Sequence, residues 1–171
     1  MFSGKKVQLR PRKIEDCHNE YRWRTDEELC RLDATIPVSF TYADFLDRYS
    51  IELEYPGLTY TLAVDSLEGT HIGECSLFNI DFVDNSTEIG ILIGEKTYWD
   101  KGYGADAIET FVQHIFNASD IETIALRTLD WNTRAHKCFE KCGFTYSANL
   151  IRGELHFRIM QRHRPLKPAT S

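Results

Sequence analysis

The apolar positions of this chain change period several times, and each change marks an element. Residues 6–10 alternate over a short strand that Pro11 stops, and residues 15–24 then begin a helix. Thr41 and Asp44 stand at the spacing of a helix-capping pair, after which Tyr42, Phe45, Leu46 and Tyr49 recur along one helical face. Residues 59–65 place Tyr60, Leu62 and Val64 on one side of a strand, a turn follows at 66–70, and 72–78 extend again as the second arm of an antiparallel hairpin. From 87 to 94, Ile89, Ile91 and Ile93 share one face while Glu88, Gly90 and Leu92 share the other.

In the second half, Ala107, Ile108, Phe111, Val112, Ile115 and Phe116 form the stripe of a core-facing helix that opens near Tyr103. Residues 122–129 are a strand rich in β-branched side chains. Asn132 caps the next helix, whose Ala135, Cys138, Phe139 and Cys142 share a face and whose end suits Gly143 in a left-handed conformation. Strands at 144–148 and 154–161 complete the pattern. The order βααβββαβαββ defines a single-domain α+β fold around one mixed sheet, with the domain at 1–161 and a flexible basic tail at 162–171. A length of 171 residues suits one domain.

Composition narrows the function. With 42% hydrophobic and 27% charged residues the chain is neither disordered nor fibrous. Its apolar runs are far short of the roughly 18–20 residues that cross a bilayer, and residues 1–10 lack the apolar core of a secretory signal. The expected setting is the cytoplasm, without a membrane partner. Five irregularly spaced cysteines read as reduced thiols. Twenty Lys and Arg against 26 Asp and Glu leave a net charge of −6, which argues against a nucleic-acid partner and suits a small cationic substrate. No histidine pair has metal-ligand spacing, so no metal is expected.

The segment that carries chemistry is 98–105, between a strand and the amphipathic helix. Gly102 and Gly104, one residue apart, let the backbone turn tightly and point amide hydrogens outward, where the helix dipole adds positive potential. A diphosphate fits such a seat. Residues 102–107 also match the G-x-G-x-x-A dinucleotide fingerprint, but residues 94–101 separate the glycines from the preceding strand, and Glu122 opens its own strand instead of closing it. A P-loop with Gly-Lys-Ser or Gly-Lys-Thr is absent.

Glu88-Ile89-Gly90, the turn 101–104, and the run from Asn132 through Ala135 to Phe139-Glu140-Lys141-Cys142-Gly143-Phe144 together resemble the GNAT superfamily of acetyl-CoA-dependent N-acetyltransferases. Within it, Leu9-Arg10-Pro11 with Asp16, then Trp23-Arg24-Thr25-Asp26, is similar to the RimJ and RimL branch, which acetylates ribosomal-protein amino termini. The resemblance implies a sheet splayed between its fourth and fifth strands, 87–94 and 122–129, with the pantetheine arm of acetyl-CoA in the gap against the backbone of Ile91 and Ile93. It further implies that Trp99, Asp100, Lys101, Gly102, Tyr103, Gly104 and Ala105 hold the diphosphate, that Asn132 meets the arm, and that Lys137 meets the phosphates. The physical basis is that parting strands leave backbone groups unpaired, which an amide-bearing ligand replaces.

The reaction implied is direct attack of a primary amine, from a protein N-terminus or a small molecule, on the thioester. Glu88 matches by position a glutamate that some members use as a base, directly or through water. Phe139 stands where many members have a tyrosine that protonates the leaving thiolate, and a phenyl ring has no proton to give. The competing reading is therefore an acyl-CoA-binding or interaction module without turnover. Trp23, Tyr21 and Phe40 are either an acceptor wall or core, and the chain is expected as a monomer or homodimer.

Overall fold

The computed structural model describes residues 1–165. The strands are β1 (Phe2–Ser3), β2 (Val7–Pro11), β3 (Tyr60–Ser66), β4 (His71–Asp81), β5 (Ser86–Ile93), β6 (Thr123–Leu129), β7 (Thr145–Arg152) and β8 (Leu155–His163). The helices are α1 (Cys17–Thr25), α2 (Glu27–Leu32), α3 (Tyr42–Glu54), α4 (Tyr103–Ala118) and α5 (Thr133–Lys141). All eight strands form one sheet in the order β1-β2-β3-β4-β5-β6-β8-β7. Each neighbouring pair is antiparallel except β5 and β6, which the α4 crossover makes parallel.

The expected element order is present with two additions. The two-residue β1 is one. The other is α2, six residues whose first turn Asp26 caps by accepting from the Leu29 N–H at 3.0 Å. An element so short completes too few turns to print a period. At the other end β8 continues to His163, because Arg162 and His163 go on pairing with Ile124 and Thr123 of β6, and the Arg162 side chain then reaches Glu109 of α4 at 2.5 Å. The domain edge expected at 161 therefore falls inside a strand, and the rest of the expected tail, 166–171, lies outside the described residues.

The two faces of the sheet are built differently. On one, Ala107, Ile108, Phe111, Val112, Ile115 and Phe116 of α4 pack on Val7, Leu9, Leu62, Val64, Ile72 and Ile89. On the other lie α1, α2 and α3, which bury charge as well as apolar surface: Asp16, Glu20 and Glu74 are almost fully enclosed. Arg10 bridges Asp16 and Asp65 with paired bonds, 2.7 and 2.7 Å to Asp16 and 2.6 and 2.9 Å to Asp65. Burial by itself would raise the Asp16 carboxyl. The Arg10 bonds and the Lys13 N–H outweigh it and hold the carboxyl below its ordinary value. The Arg10 and Asp16 of the RimJ and RimL resemblance thus form an internal ion pair.

Candidate active site

The site begins where β5 and β6 part. Their pairing runs Ser86↔Thr123, Thr87↔Ile124 and Glu88↔Ala125 and then stops, while β6 goes on pairing with β8 as far as Leu129↔Phe157. Beyond Glu88, β5 is hydrogen-bonded on one edge only. The Gly94 N–H donates to Ile72 O at 2.9 Å, which fixes the alternation. Even-numbered residues of β5 aim their backbone at β4, and those of Ile91 and Ile93 aim at the gap. The Ile93 carbonyl is already occupied, since the Trp99 indole N–H donates to it at 2.7 Å. The Ile93 N–H and both polar groups of Ile91 remain for a ligand.

A cavity of about 480 Å³ fills this gap, within the size range of small-molecule sites. Ile91, Leu92 and Ile93 form one wall, and Asn132, Arg134, Ala135, Lys137, Cys138, Phe139 and Lys141 form the facing wall. Trp99, Asp100, Gly102, Gly104 and Ala105 close one end, while Leu29 and Leu32 of α2 and Asp33, just after it, border another part. Asp100 and Gly102 both have left-handed backbones, with φ of +58° and +84°. That pair of turns brings the start of α4 to the cavity with no side chain capping it. Free amide hydrogens and the dipole of a 16-residue helix meet there, an arrangement that favours an anion.

The first turn of α4 is pinned from behind. Asp106 accepts from the N–H groups of Lys5, Lys6 and Val7 at 3.1, 2.7 and 3.1 Å, and Lys6 Nζ donates to Lys101 O at 3.0 Å. Nine of the expected cofactor residues thus line one cavity: Ile91, Ile93, Trp99, Asp100, Gly102, Gly104, Ala105, Asn132 and Lys137. Two do not line it with their side chains. Lys101 turns back to donate to Thr97 O at 2.7 Å, and the Tyr103 ring packs edge-on against Tyr98 at 4.8 Å. Asn132 accepts from the Ala135 N–H at 3.2 Å as the cap of α5, which leaves its amide hydrogens for another partner.

Glu88 stands at the last paired rung, outside the cavity lining. Its Oε2 lies 2.8 Å from Arg127 Nε on the departing strand, and its Oε1 accepts from Asn79 Nδ2 at 3.2 Å. Phe139 lines the cavity and packs edge-on against Phe144. Of the aromatic residues offered as an acceptor wall, Trp23 is core: it packs over Gly94, where an added Cβ would fall 2.1 Å from its ring. Tyr21 donates to Phe40 O at 3.1 Å within the α1 and α3 cluster. Sequence reading passed over Arg134, although the 134, 137, 141 spacing showed a basic stripe. It also passed over Asp33, for which the sequence offered no signal. Among the described residues no group of three His, Cys, Asp or Glu side chains is placed to hold a metal ion.

A sequence model described as "Acetyltransferase (GNAT) domain" matches residues 6–145. The chain belongs to the GNAT acetyltransferase family and is an acetyl-CoA-dependent N-acetyltransferase by class. Solved structures share the fold at low identity. Spermidine N-acetyltransferase from Vibrio cholerae, in complex with CoA and spermine, superposes with a TM-score of 0.80 at 18% identity, covering 92% of this chain and 95% of that one. Aminoglycoside acetyltransferase AAC(6')-Ib with ribostamycin and coenzyme A gives 0.79 at 19% identity, over 94% of each chain. A GNAT-family acetyltransferase from Bacillus anthracis gives 0.78 at 15%, over 95% and 97%. A sequence comparison with curated proteins finds no match.

Proposed function

We propose that this enzyme acetylates a primary amine of a small cationic molecule, by direct attack on acetyl-CoA lying in the β5–β6 gap. The observation that carries the reading is the meeting, in one cavity, of an open strand edge at Ile91 and Ile93 with an uncapped α4 N-terminus. The first replaces sheet hydrogen bonds with the amides of a pantetheine arm, and the second takes the diphosphate. Asn132 and Lys137 lie on the facing wall for the arm and the phosphates. The enzyme's own net charge of −6 suits an ammonium. Spermine and ribostamycin, bound by two proteins of the same fold, are amines of that kind. An acceptor at a protein N-terminus, as in the RimJ and RimL branch, is the finer alternative within the same chemistry.

From Ile93 back to Glu88 is five residues, about 17 Å at roughly 3.3 Å per residue. An arm anchored near the α4 turn and laid along β5 therefore carries its thioester toward the Glu88 end. A lysine-like amine of pKa near 10.4 costs about 4.6 kcal/mol to deprotonate at pH 7, which is the work of a base. Glu88, directly or through water, takes that proton. The nitrogen then bonds to the carbonyl carbon, the C–S bond breaks, and the second proton that the nitrogen sheds passes through water to the departing thiolate. A thiol of pKa near 8.5 is a good enough leaving group for Phe139 to stand where a proton donor often does.

The test is release of free thiol from acetyl-CoA over a panel of polyamines, aminoglycosides and peptide termini, with CoA affinity measured separately. Turnover on a cationic small amine, reduced in Glu88→Gln most strongly at low pH while CoA affinity is kept, is the expected result. A Glu88→Gln rate that matches the parent at every pH removes Glu88 from the reaction. CoA binding without turnover on any amine would leave a binding module.

A further inference from the structure

Among the described residues, a single ion pair crosses the parting of β5 and β6. Ile89 of β5 and Ile124 and Leu126 of β6 lie in the core under α4, so Glu88 and Arg127 project from the opposite face of the sheet. Glu88 pairs with Ala125 at the last rung, and Arg127 lies two residues further on, where the strands have separated. From there Arg127 Nε reaches back to Glu88 Oε2 at 2.8 Å. The two side chains are 23% and 26% exposed, and an ion pair so open to water adds little to stability.

Its consequence is orientation. Glu88 Oε2 is itself buried and takes no hydrogen bond, so its compensation is the Arg127 charge. Oε1 accepts from Asn79 Nδ2 at 3.2 Å and keeps a second lone pair. Asn79 has a left-handed backbone, φ +51°, inside the register shift of β4 between Phe78 and Asp81. Such an irregularity re-aims a side chain, and Thr87 fixes this one by donating Oγ1 to Phe78 O at 2.9 Å. The carboxylate is therefore anchored at one oxygen from β6 and at the other from β4. Gly90, the next residue of β5 on this face, presents no side chain and leaves the floor beside Glu88 open to an acceptor.

We infer that Arg127 is a positioning residue, which holds Glu88 by Oε2 and so presents Oε1 to the proton of the attacking amine. The inference rests on the reading of Glu88 as the base. With Arg127 gone, the buried Oε2 has no partner and the carboxylate turns toward water. A displacement of about 1 Å at a reacting group costs up to about a hundredfold in rate.

The test is a double-mutant cycle in kcat, on the amine of the polyamine, aminoglycoside and peptide panel that the parent acetylates fastest. Arg127→Met is expected to lower kcat between about tenfold and a hundredfold, with KM for acetyl-CoA and CoA affinity kept. Arg127→Lys, which still places a cation beside Oε2, should recover most of that loss. Adding Arg127→Met to Glu88→Gln should change kcat by less than about twofold. If Arg127→Met does not fold, Arg127→Gln, still polar and of similar length, takes its place in the cycle.

A parent-like kcat in Arg127→Met overturns the proposal. So does an equal loss in the parent and Glu88→Gln backgrounds, which would make Arg127 act apart from Glu88, and so does a loss of CoA affinity, which would make it a clamp on the gap. Those three outcomes leave Glu88 in place as the base. Parent-like activity of Glu88→Gln, or no turnover by the parent on any amine, instead overturns the underlying reading and this proposal with it.

Discussion

The two faces of the sheet solve the same packing problem with different materials. Under α4 the contact is apolar, and Phe111, Ile108 and Val112 are enclosed against strand residues that alternate with the same regularity. Under α1, α2 and α3 ion pairs and hydrogen-bonded carboxylates stand beside the buried Cys17, Trp23, Leu29, Cys30 and Tyr49. Arg10 joins two aspartates, Arg24 lies 2.5 Å from Glu74 and 3.0 Å from Asp33, and Tyr49 donates to Glu20 at 2.8 Å. Hydrophobic contact tolerates many partners, whereas a buried ion pair is stable only with its own partner in place. The face under α1, α2 and α3, which borders the α2 part of the cavity, therefore depends on particular partners as well as on apolar contact.

Substitutions that damage one face and spare the other would sharpen this contrast. The largest effect is expected from Phe111→Ala, which empties the apolar face and should cost about 3–5 kcal/mol in denaturant unfolding, nearly independent of pH. A loss that tracks pH would contradict the apolar account. Arg10→Ala is expected to cost about 3 kcal/mol at neutral pH by stranding Asp16. Because the folded Asp16 carboxyl is held below its unfolded value, its contribution is present above about pH 4 and disappears as pH falls through the folded value. The Arg10→Ala deficit should therefore shrink in acid, and unfolding curves at pH 7 and pH 3 would show it.

Gly94→Ala is expected to cost about 2 kcal/mol, since the new methyl meets the buried Trp23 ring and one of them must move. A melting temperature equal to the parent's would mean that Trp23 is less fixed than its packing implies. The smallest effect is expected at Glu20, whose carboxyl is pushed up to about 8 by burial first and by the charge of Glu74 second. A raised carboxyl binds more protons folded than unfolded, so stability falls as pH rises from about 4.3 to 8. Glu20→Gln should flatten that slope between pH 6 and 8, read from unfolding curves across that range. An unchanged slope would place the pH sensitivity elsewhere.

Much of the site was legible because its chemistry is local. Gly102 and Gly104 announce a turn that exposes amides, and Asn132 sits where a helix cap belongs. The hidden parts are those whose partners lie far along the chain. Nothing near Asp106 in sequence says that its carboxylate collects three amides about a hundred residues away. Nothing near Trp99 says that its indole takes the carbonyl of Ile93 and lies under Arg134.

By itself, the sequence determined the periodic elements, the apolar face of α4 and the anion-seeking turn, because period, capping and glycine conformation are properties of neighbouring residues. Tertiary structure alone decided where β5 and β6 separate, which cations face the cavity and which acids are buried. Those outcomes depend on which distant groups come within a few ångströms of one another, and at that range burial and charge pairing outweigh any local preference.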